Sequence, residues 1–319
     1  MTLHTTSGRW KLGFLLSVIT ALLWGALPIA LKTLLGGMDA ITITWYRFLA
    51  SAVLLAAYLA ARRRRARSVR PKGLLLLLII VCCLCLCANY IIYLIGLDHL
   101  TPSIAQVVIQ LAPGFMLLGG VFIYRERFVR LQWTGMLVFV AGMGLFFNGR
   151  LALLIGGLTD YTIGILLIIT AAIAWAVYGL TQKQLLRCYS SEMILLVIYI
   201  FGAVAFFPAA HPGQIATLNT LQVFLLIFAA LNTLFAYGCF AEALEHWEAS
   251  RVSAVLATVP VLTVFLMMIV SSLWPQVIEP ENLSPISLAG ALLVVGGSIM
   301  AAVSSDPKHQ IPPLQTPEP

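Results

Sequence analysis

The chain has 319 residues, of which 61% are hydrophobic and 10% are charged. Soluble globular proteins carry about 45–50% apolar and about 25% charged residues. The composition therefore excludes a soluble fold and predicts an all-α protein that crosses a membrane several times. The formal net charge is +7, but six of the 19 Lys and Arg residues lie within residues 62–70. Because this block is a short connection between two apolar segments, nucleic acid is not an expected partner.

A helix needs about 20 mainly apolar residues to cross the hydrocarbon core of a bilayer. Ten segments of the sequence come near this length, and the connections between them are too short to hold a soluble domain. After them, residues 304–319 are rich in Pro and polar residues, which predicts a disordered tail. The ten predicted spans are 12–32, 40–61, 73–95, 102–124, 131–148, 160–181, 192–210, 219–241, 252–273 and 285–303.

Positive charges are distributed unevenly among the connections. Cytoplasmic connections of membrane proteins collect Lys and Arg, so we place residues 1–11 and the C-terminal tail in the cytoplasm. The cytoplasmic side then receives the basic block, and Arg150 alone falls in the connections on the outer side. An even number of spans agrees with both termini on one side.

The two halves of the sequence resemble each other, as internal repeats do. The offset between matching residues changes in the connections, where insertions are tolerated. A shift of 147 residues places Tyr90, His99 and Pro113 on Tyr237, His246 and Pro260; a shift of 151 places Trp24 on Trp175; and a shift of 155 places Gly135 and Gly142 on Gly290 and Gly297.

Each half, 12–148 and 160–303, holds five predicted spans. Because five is an odd number, the second half enters the membrane from the side opposite to the first. Such inverted-topology repeats are a design of secondary transporters. The sequence therefore predicts ten transmembrane helices in two inverted five-helix repeats. When the two repeats exchange conformations, a cavity between them opens first to one side of the membrane and then to the other.

Several short motifs follow one another along residues 10–303. They are Trp24-Gly25 with Pro28 and Lys32, Arg47-Phe48, Thr101-Pro102-Ser103-Ile104-Ala105, Pro113, Glu126-Arg127, Gly135 and Gly142, then Glu248-Ala249-Ser250-Arg251-Val252-Ser253 and Pro260. In this order they resemble the EamA branch of the drug/metabolite transporter superfamily. The resemblance implies a ten-helix fold whose central cavity is lined by the third, fourth, eighth and ninth helices, with the first and sixth nearby. It also implies transport, usually export, of small metabolites such as amino acids across a bacterial inner membrane.

Polar side chains at bilayer depth cost free energy unless they face protein or water, so each is a candidate for a functional site. The fourth span carries a polar stripe at spacings of three, four and three, which share one helix face. An amide offers donors and an acceptor to a substrate amino or carboxyl group; the alternative is a hydrogen bond that joins two helices. The stripe consists of Ser103, Gln106, Gln110 and Pro113, and its counterpart in the ninth span of Ser250, Ser253, Ala257 and Pro260.

Other polar and aromatic residues extend this candidate cavity. Asn89 and Tyr93 share a face of the third span, and Asn232 and Thr233 lie at similar depth in the eighth. They are expected to line the cavity or to form hydrogen bonds between helices. Trp24 and Trp175, which are counterparts in the repeat, are expected either to stack on an organic substrate or to pack helices together.

Pro113 and Pro260 interrupt backbone hydrogen bonding in the middle of a span. Each is interpreted as a gating hinge or as a static kink. Arg47 lies within the second span, where a guanidinium at the bilayer centre costs about 2.5–3.5 kcal/mol on a translocon scale. Three roles are open for it: an anion site, a clamp on backbone carbonyls, or a side chain that snorkels to lipid phosphates.

The expected function is therefore a secondary transporter with a small-molecule substrate, embedded in the lipid bilayer as a monomer or a homodimer. No enzyme activity, cofactor or metal is expected, although Glu242 and His246 stand four residues apart. An intramembrane enzyme is the alternative from a different class. Within transport, the alternative is a sugar-phosphate or nucleotide-sugar exchanger, whose substrates require several cations in the cavity.

Overall fold

A computed structural model describes residues 9–61, 72–124, 129–150, 157–247, 249–281 and 283–303. The expected tail at 304–319 and the basic block at 62–70 lie outside these ranges. Within them the secondary structure is helical, with three short 3-10 helices at Asn148–Arg150, Phe207–Ala209 and Pro212–Thr217. The α-helices are α1 Trp10–Leu35, α2 Ala40–Ala61, α3 Leu74–Asp98, α4 Pro102–Ile109, α5 Leu111–Tyr124, α6 Arg130–Phe146, α7 Asp160–Leu185, α8 Ser191–Phe206, α9 Thr220–His246, α10 Ala249–Leu256, α11 Val259–Leu273 and α12 Pro285–Val303.

The chain is a multi-pass membrane protein. Among the described residues, seven helices are long and apolar enough to cross a bilayer. The count of ten is not reached on this criterion, because α6 has 17 residues and the apolar stretches Pro102–Met116 and Pro285–Ala301 are also short. The seven are Trp10–Leu35, Ala40–Ala61, Leu74–Asp98, Asp160–Leu185, Ser191–Ala209, Thr220–Phe240 and Arg251–Leu273.

Two of the predicted spans are each divided into a short and a longer helix. Proline lacks an N–H group and clashes with the carbonyl four residues earlier in a helix. Pro113 therefore removes the helical partner of the Ile109 carbonyl, and α4 ends at Ile109. Pro260 has the same effect on Leu256, where α10 ends. The interruption predicted from the two prolines is therefore present in both halves. In each half the helix ends about one turn before the proline.

The helices of the two halves pair in a pattern that is unchanged when the halves are exchanged. Helix α1 packs along α9, and its counterpart α7 packs along α3. Helix α1 also contacts α10 and α11, as α7 contacts α4 and α5. The pairs α2 with α8 and α6 with α12 each join a helix to its own counterpart.

Helices α6 and α12 approach each other through glycines. A Cβ atom on Gly135 would lie 2.8 Å from the carbonyl oxygen of Gly297, and one on Gly142 would lie 2.9 Å from that of Gly290. Only residues without a side chain allow two backbones to approach so closely. Because Gly142 follows Gly135 in α6 whereas Gly290 precedes Gly297 in α12, the two helices are antiparallel.

Large apolar side chains lie on the surface of the bundle, and several hydroxyl groups lie inside it. Leu137, Val204 and Phe224 are exposed, whereas Ser17 and Thr44 are fully buried. These two hydroxyls donate hydrogen bonds within their own helix: Ser17 to the Gly13 carbonyl at 2.7 Å and Thr44 to the Ala40 carbonyl at 2.8 Å. This distribution suits a lipid environment, which solvates apolar side chains but not backbone or hydroxyl groups.

Candidate substrate-binding site

Arg47 lies about 10 Å along α2 from its first residue, at a rise of 1.5 Å per residue, and it is 4% exposed. Its Nε donates to the hydroxyl of Thr233 in α9 at 3.1 Å. Its guanidinium carbon lies 4.6 Å from the ring centroid of Tyr90 in α3. The side chain thus points into the bundle rather than toward its outer surface. Among the described residues, no carboxylate forms an ion pair with it.

The residues around Arg47 are neutral hydroxyl and aromatic groups from both halves. Tyr199 of α8 donates from its hydroxyl to the Thr233 carbonyl at 3.3 Å. The Tyr90 side chain also lies beside those of Tyr237 and Thr233. Tyr90 and Tyr237 are counterparts in the repeat, so this contact joins equivalent positions of α3 and α9. The result is a buried cation held in a polar but uncharged surrounding.

Gln106 is connected to this cluster through Tyr93, whose hydroxyl donates to the Gln106 Oε1 at 3.3 Å. Tyr93 lies three residues after Tyr90 in α3 and is partly buried, and Gln106 in α4 is 9% exposed. Because Oε1 accepts from Tyr93, the NH₂ group of Gln106 remains available as a donor.

Gln110 contacts the opposite half directly. Its Nε2 donates to the carbonyl of Ala257 at 3.4 Å, and Ala257 is its counterpart in the repeat. Both residues lie at the proline-induced interruptions, just after α4 and α10 end. The Gln110 side chain is partly buried, and its Oε1 remains able to accept a hydrogen bond.

Asn89 and Asn232 both bind backbone carbonyls of a neighbouring helix. Asn89 donates to the Ala171 carbonyl of α7 at 2.8 Å, and Asn232 donates to the Leu23 carbonyl of α1 at 2.7 Å. These bonds match the interhelical alternative for both residues. The Oδ1 of Asn232 is buried and has no partner among the described residues.

The two tryptophans meet at one tyrosine. Trp24 lies 5.5 Å from Tyr237 and 5.9 Å from Phe240, measured between ring centroids. Trp175 lies beside the Tyr237 hydroxyl. Both tryptophans are partly buried, so each keeps accessible ring surface while it contacts the cluster.

A second contact between the halves lies at one end of the bundle, where Asp39 immediately precedes the first turn of α2. The hydroxyl of Thr42 donates to the Asp39 carboxylate at 2.7 Å and accepts from the His211 N–H at 2.9 Å. The Asp39 N–H donates to Gln214 Oε1 at 3.0 Å, and His211 Nδ1 lies 3.7 Å from the carboxylate. Burial alone would raise the pKa of Asp39, but hydrogen bonds from Thr42, Gln214 and the Ile41 backbone lower it below 3.8.

When the chain is compared with known proteins, one family model matches each of its halves. The model of the EamA-like transporter family matches residues 11–148 and again residues 162–303. The chain belongs to the EamA-like transporter family. The resemblance seen in the motifs is therefore confirmed, and the chain is a membrane transporter by family.

Individual relatives cover nearly the whole chain. The uncharacterized inner membrane transporter YhbE of Escherichia coli (strain K12) is 39% identical over 92% of this chain and 91% of its own length. A probable amino-acid metabolite efflux pump of Salmonella typhimurium is 24% identical over 90% of this chain and 93% of its own. One crystal structure, at 19% identity, has a TM-score of 0.60 over 93% of this chain and 97% of that one, and it therefore has the same fold.

In this family member the candidate residues fall into distinct groups. Arg47, Tyr93 and Gln106 belong to one connected cluster, whereas Ser253 is exposed and its hydroxyl makes no hydrogen bond within the described part of the chain. Pro113 is exposed and Pro260 is buried. The sequence analysis assigned no site role to three tyrosines around Arg47, which are Tyr90, Tyr199 and Tyr237. The repeat match of Tyr90 with Tyr237 was a usable signal for two of them.

The Glu242 and His246 pair lies at the end of α9. His246 is 6% exposed, and its Nε2 lies 3.3 Å from Glu242 Oε1. Within the described ranges, no group of three His, Cys, Asp or Glu side chains is arranged to hold a metal ion.

Proposed function

We propose that this chain is a secondary transporter that exports small organic metabolites such as amino acids across a bacterial inner membrane. In this proposal ten spans form two inverted five-helix repeats, 12–148 and 160–303, and both termini are cytoplasmic. The antiparallel crossing of α6 and α12 carries the proposal. Counterparts that run in opposite directions are what an inverted repeat requires and what a parallel repeat forbids.

Alternating access follows from the paired interruptions. Helices α4 and α10 each end where a proline removes a backbone hydrogen bond, and Pro113 and Pro260 are proposed as the hinges. In one state the first half bends at its hinge, and in the other state the second half does. Because Gln110 bonds to Ala257 between the two interruptions, a change at one hinge is transmitted to the other.

The substrate is proposed to bind between the halves. Gln106 and Gln110 would bind its polar groups, and Trp24 and Trp175 would contact its apolar part. Arg47, Tyr93, Asn89, Asn232 and Ser253 complete the proposed site, with the two asparagines also joining helices.

The charge of the site favours amino acids over sugar phosphates. Among the described residues, Arg47 is the only Lys or Arg whose side chain is buried. A phosphate group requires several cations. The name of the Salmonella typhimurium relative, a probable amino-acid metabolite efflux pump, supports the same class.

The test is transport by purified protein in proteoliposomes loaded with a panel of labelled amino acids, other carboxylates and sugar phosphates. We expect efflux of at least one amino acid, at a rate that saturates with concentration, and none from protein-free liposomes. Recovered solute should be chemically unchanged, because a modified product would indicate an enzyme. Folded protein that moves no amino acid would overturn the proposed substrate class.

A further inference from the structure

Arg47 is a buried cation without a buried anion. One of its guanidinium N–H groups donates to Thr233, and one aromatic face, that of Tyr90, lies against it. A guanidinium has five N–H donors. Within the described part of the chain, no other hydrogen bond of this group is present, and no carboxylate neutralises its charge.

An uncompensated charge in a low-dielectric interior is strongly unfavourable. Charged side chains inside membrane bundles therefore pair with another group or mark the path of a substrate. The four tyrosines near Arg47 and the Thr233 hydroxyl are neutral groups, so none of them supplies the missing negative charge. A negatively charged ligand would supply it.

We propose that Arg47 is the residue that binds the carboxylate of the exported metabolite. This inference rests on the proposed function and adds a requirement to it: the substrate must carry a carboxylate. Two parallel N–H groups of a guanidinium match the two oxygens of a carboxylate, which makes this pair strong and directional. A single guanidinium balances one negative charge, so a monocarboxylate fits and a doubly charged phosphate does not.

Neighbouring donors agree with this assignment. Tyr93 holds the Gln106 amide by its oxygen and thereby leaves the NH₂ group free to donate. Tyr93 bonds to Gln106 and lies close enough to Arg47 for an electrostatic interaction. Gln106 and Arg47 therefore both offer hydrogen-bond donors in the same part of the bundle, which suits an acceptor-only carboxylate.

The experiment compares each acid with its carboxamide, using L-leucine with L-leucinamide and L-phenylalanine with L-phenylalaninamide. Binding to purified protein in detergent and efflux from proteoliposomes are both measured. We expect the amides to bind at least about tenfold more weakly than the acids. Equal binding of acid and amide by the wild-type protein would overturn the inference while leaving the proposed export intact.

Variants then assign the preference to Arg47. In Arg47→Met we expect acid binding to weaken about 10- to 150-fold and the acid-over-amide preference to disappear. Arg47→Lys keeps the charge but loses the paired geometry, so an intermediate loss is expected. The control is Arg130→Gln, which removes an exposed cation at the start of α6 and should bind both acids normally.

A purely structural role for Arg47 gives a different result. The melting temperature of Arg47→Met would fall, but the surviving protein would retain the acid preference and the wild-type affinity. If Arg47→Met does not fold, the acid affinity of Arg47→Lys tests the inference instead. Unchanged acid affinity in that variant would also overturn it. Absence of efflux with retained acid-selective binding would contradict the proposed export instead.

Discussion

The side-chain amide of Gln110 donates a 3.4 Å hydrogen bond to the backbone carbonyl of Ala257, the residue that occupies the same position in the other half of the chain. The contact is asymmetric, because an alanine cannot return the bond from its side chain. Each half has an interrupted helix at this point, but one half alone supplies the polar side chain. At the two interruptions, side-chain hydrogen-bonding capacity is therefore concentrated on the first half.

The first prediction concerns this amide. Gln110→Leu should raise the apparent KM for efflux or abolish flux, because a buried polar group of the substrate left unpaired costs about 1–3 kcal/mol. This cost corresponds to roughly five- to 150-fold in affinity. The melting temperature should change little, since the lost bond to Ala257 is long and Leu has a similar volume.

The control for this variant is Thr170→Val, which also removes a polar group from a span. Its hydroxyl is exposed and bonds to the Leu166 carbonyl of its own helix, so flux should be unchanged. A destabilised Gln110→Leu protein with normal KM would assign Gln110 to helix packing and refute its role in binding.

The second prediction concerns the crossing of α6 and α12. Gly142→Ala should destabilise the protein by roughly 1–3 kcal/mol, the typical cost of overpacking, because its Cβ would lie 2.6 Å from the Val294 backbone nitrogen. Gly144→Ala is the matched control in the same helix, where an added Cβ has nothing within 4 Å. Thermal unfolding in detergent measures both, and equal melting temperatures would contradict the close crossing.

The third prediction concerns orientation. In a background without native cysteines, Ser68→Cys should react with a membrane-impermeant maleimide only when the cytoplasmic side is accessible. Ala216→Cys, an exposed position in the Pro212–Thr217 helix, should react from the outside. The reverse labelling pattern would invert the proposed topology.

The fourth prediction concerns acid stability. The folded state lowers the pKa of Asp39, so its contribution to stability is complete above the unfolded value of 3.8 and is lost as pH falls through the folded pKa. The melting temperature of the wild-type protein should therefore fall as the pH drops below 3.8. Asp39→Asn should have a lower melting temperature near neutral pH and a smaller fall in acid. An equally steep fall would show that other groups dominate.

Much of the fold could be predicted because its causes are local in the sequence. Apolar run lengths placed the helices, and the chemistry of proline placed the ends of α4 and α10 at Ile109 and Leu256. The repeat also predicted that Gly135 and Gly142 have equivalents in α12. It did not predict which glycines meet, because antiparallel packing pairs Gly135 with Gly297 rather than with its equivalent, Gly290.

The partners of polar side chains could not be predicted, because they come from distant parts of the chain. Asn89 was expected at the cavity or between helices, and its partner, the Ala171 carbonyl, is a backbone atom that no residue pattern identifies. The burial of Arg47 likewise depends on Thr233 and Tyr90, which converge on it from two other helices. Side-chain chemistry identified the candidates, while packing set the partners that each of them contacts.

The separation of Arg47 and Thr233 by 186 residues has a consequence for biosynthesis. At about 5–20 residues per second, a ribosome needs roughly 10 to 40 seconds after making Arg47 before its hydroxyl partner exists. During that interval α2 carries an unpartnered cation, and the insertion cost of about 2.5–3.5 kcal/mol is not offset by α9. The buried cation of the second helix therefore gains its hydroxyl partner late, from a segment made after most of the chain.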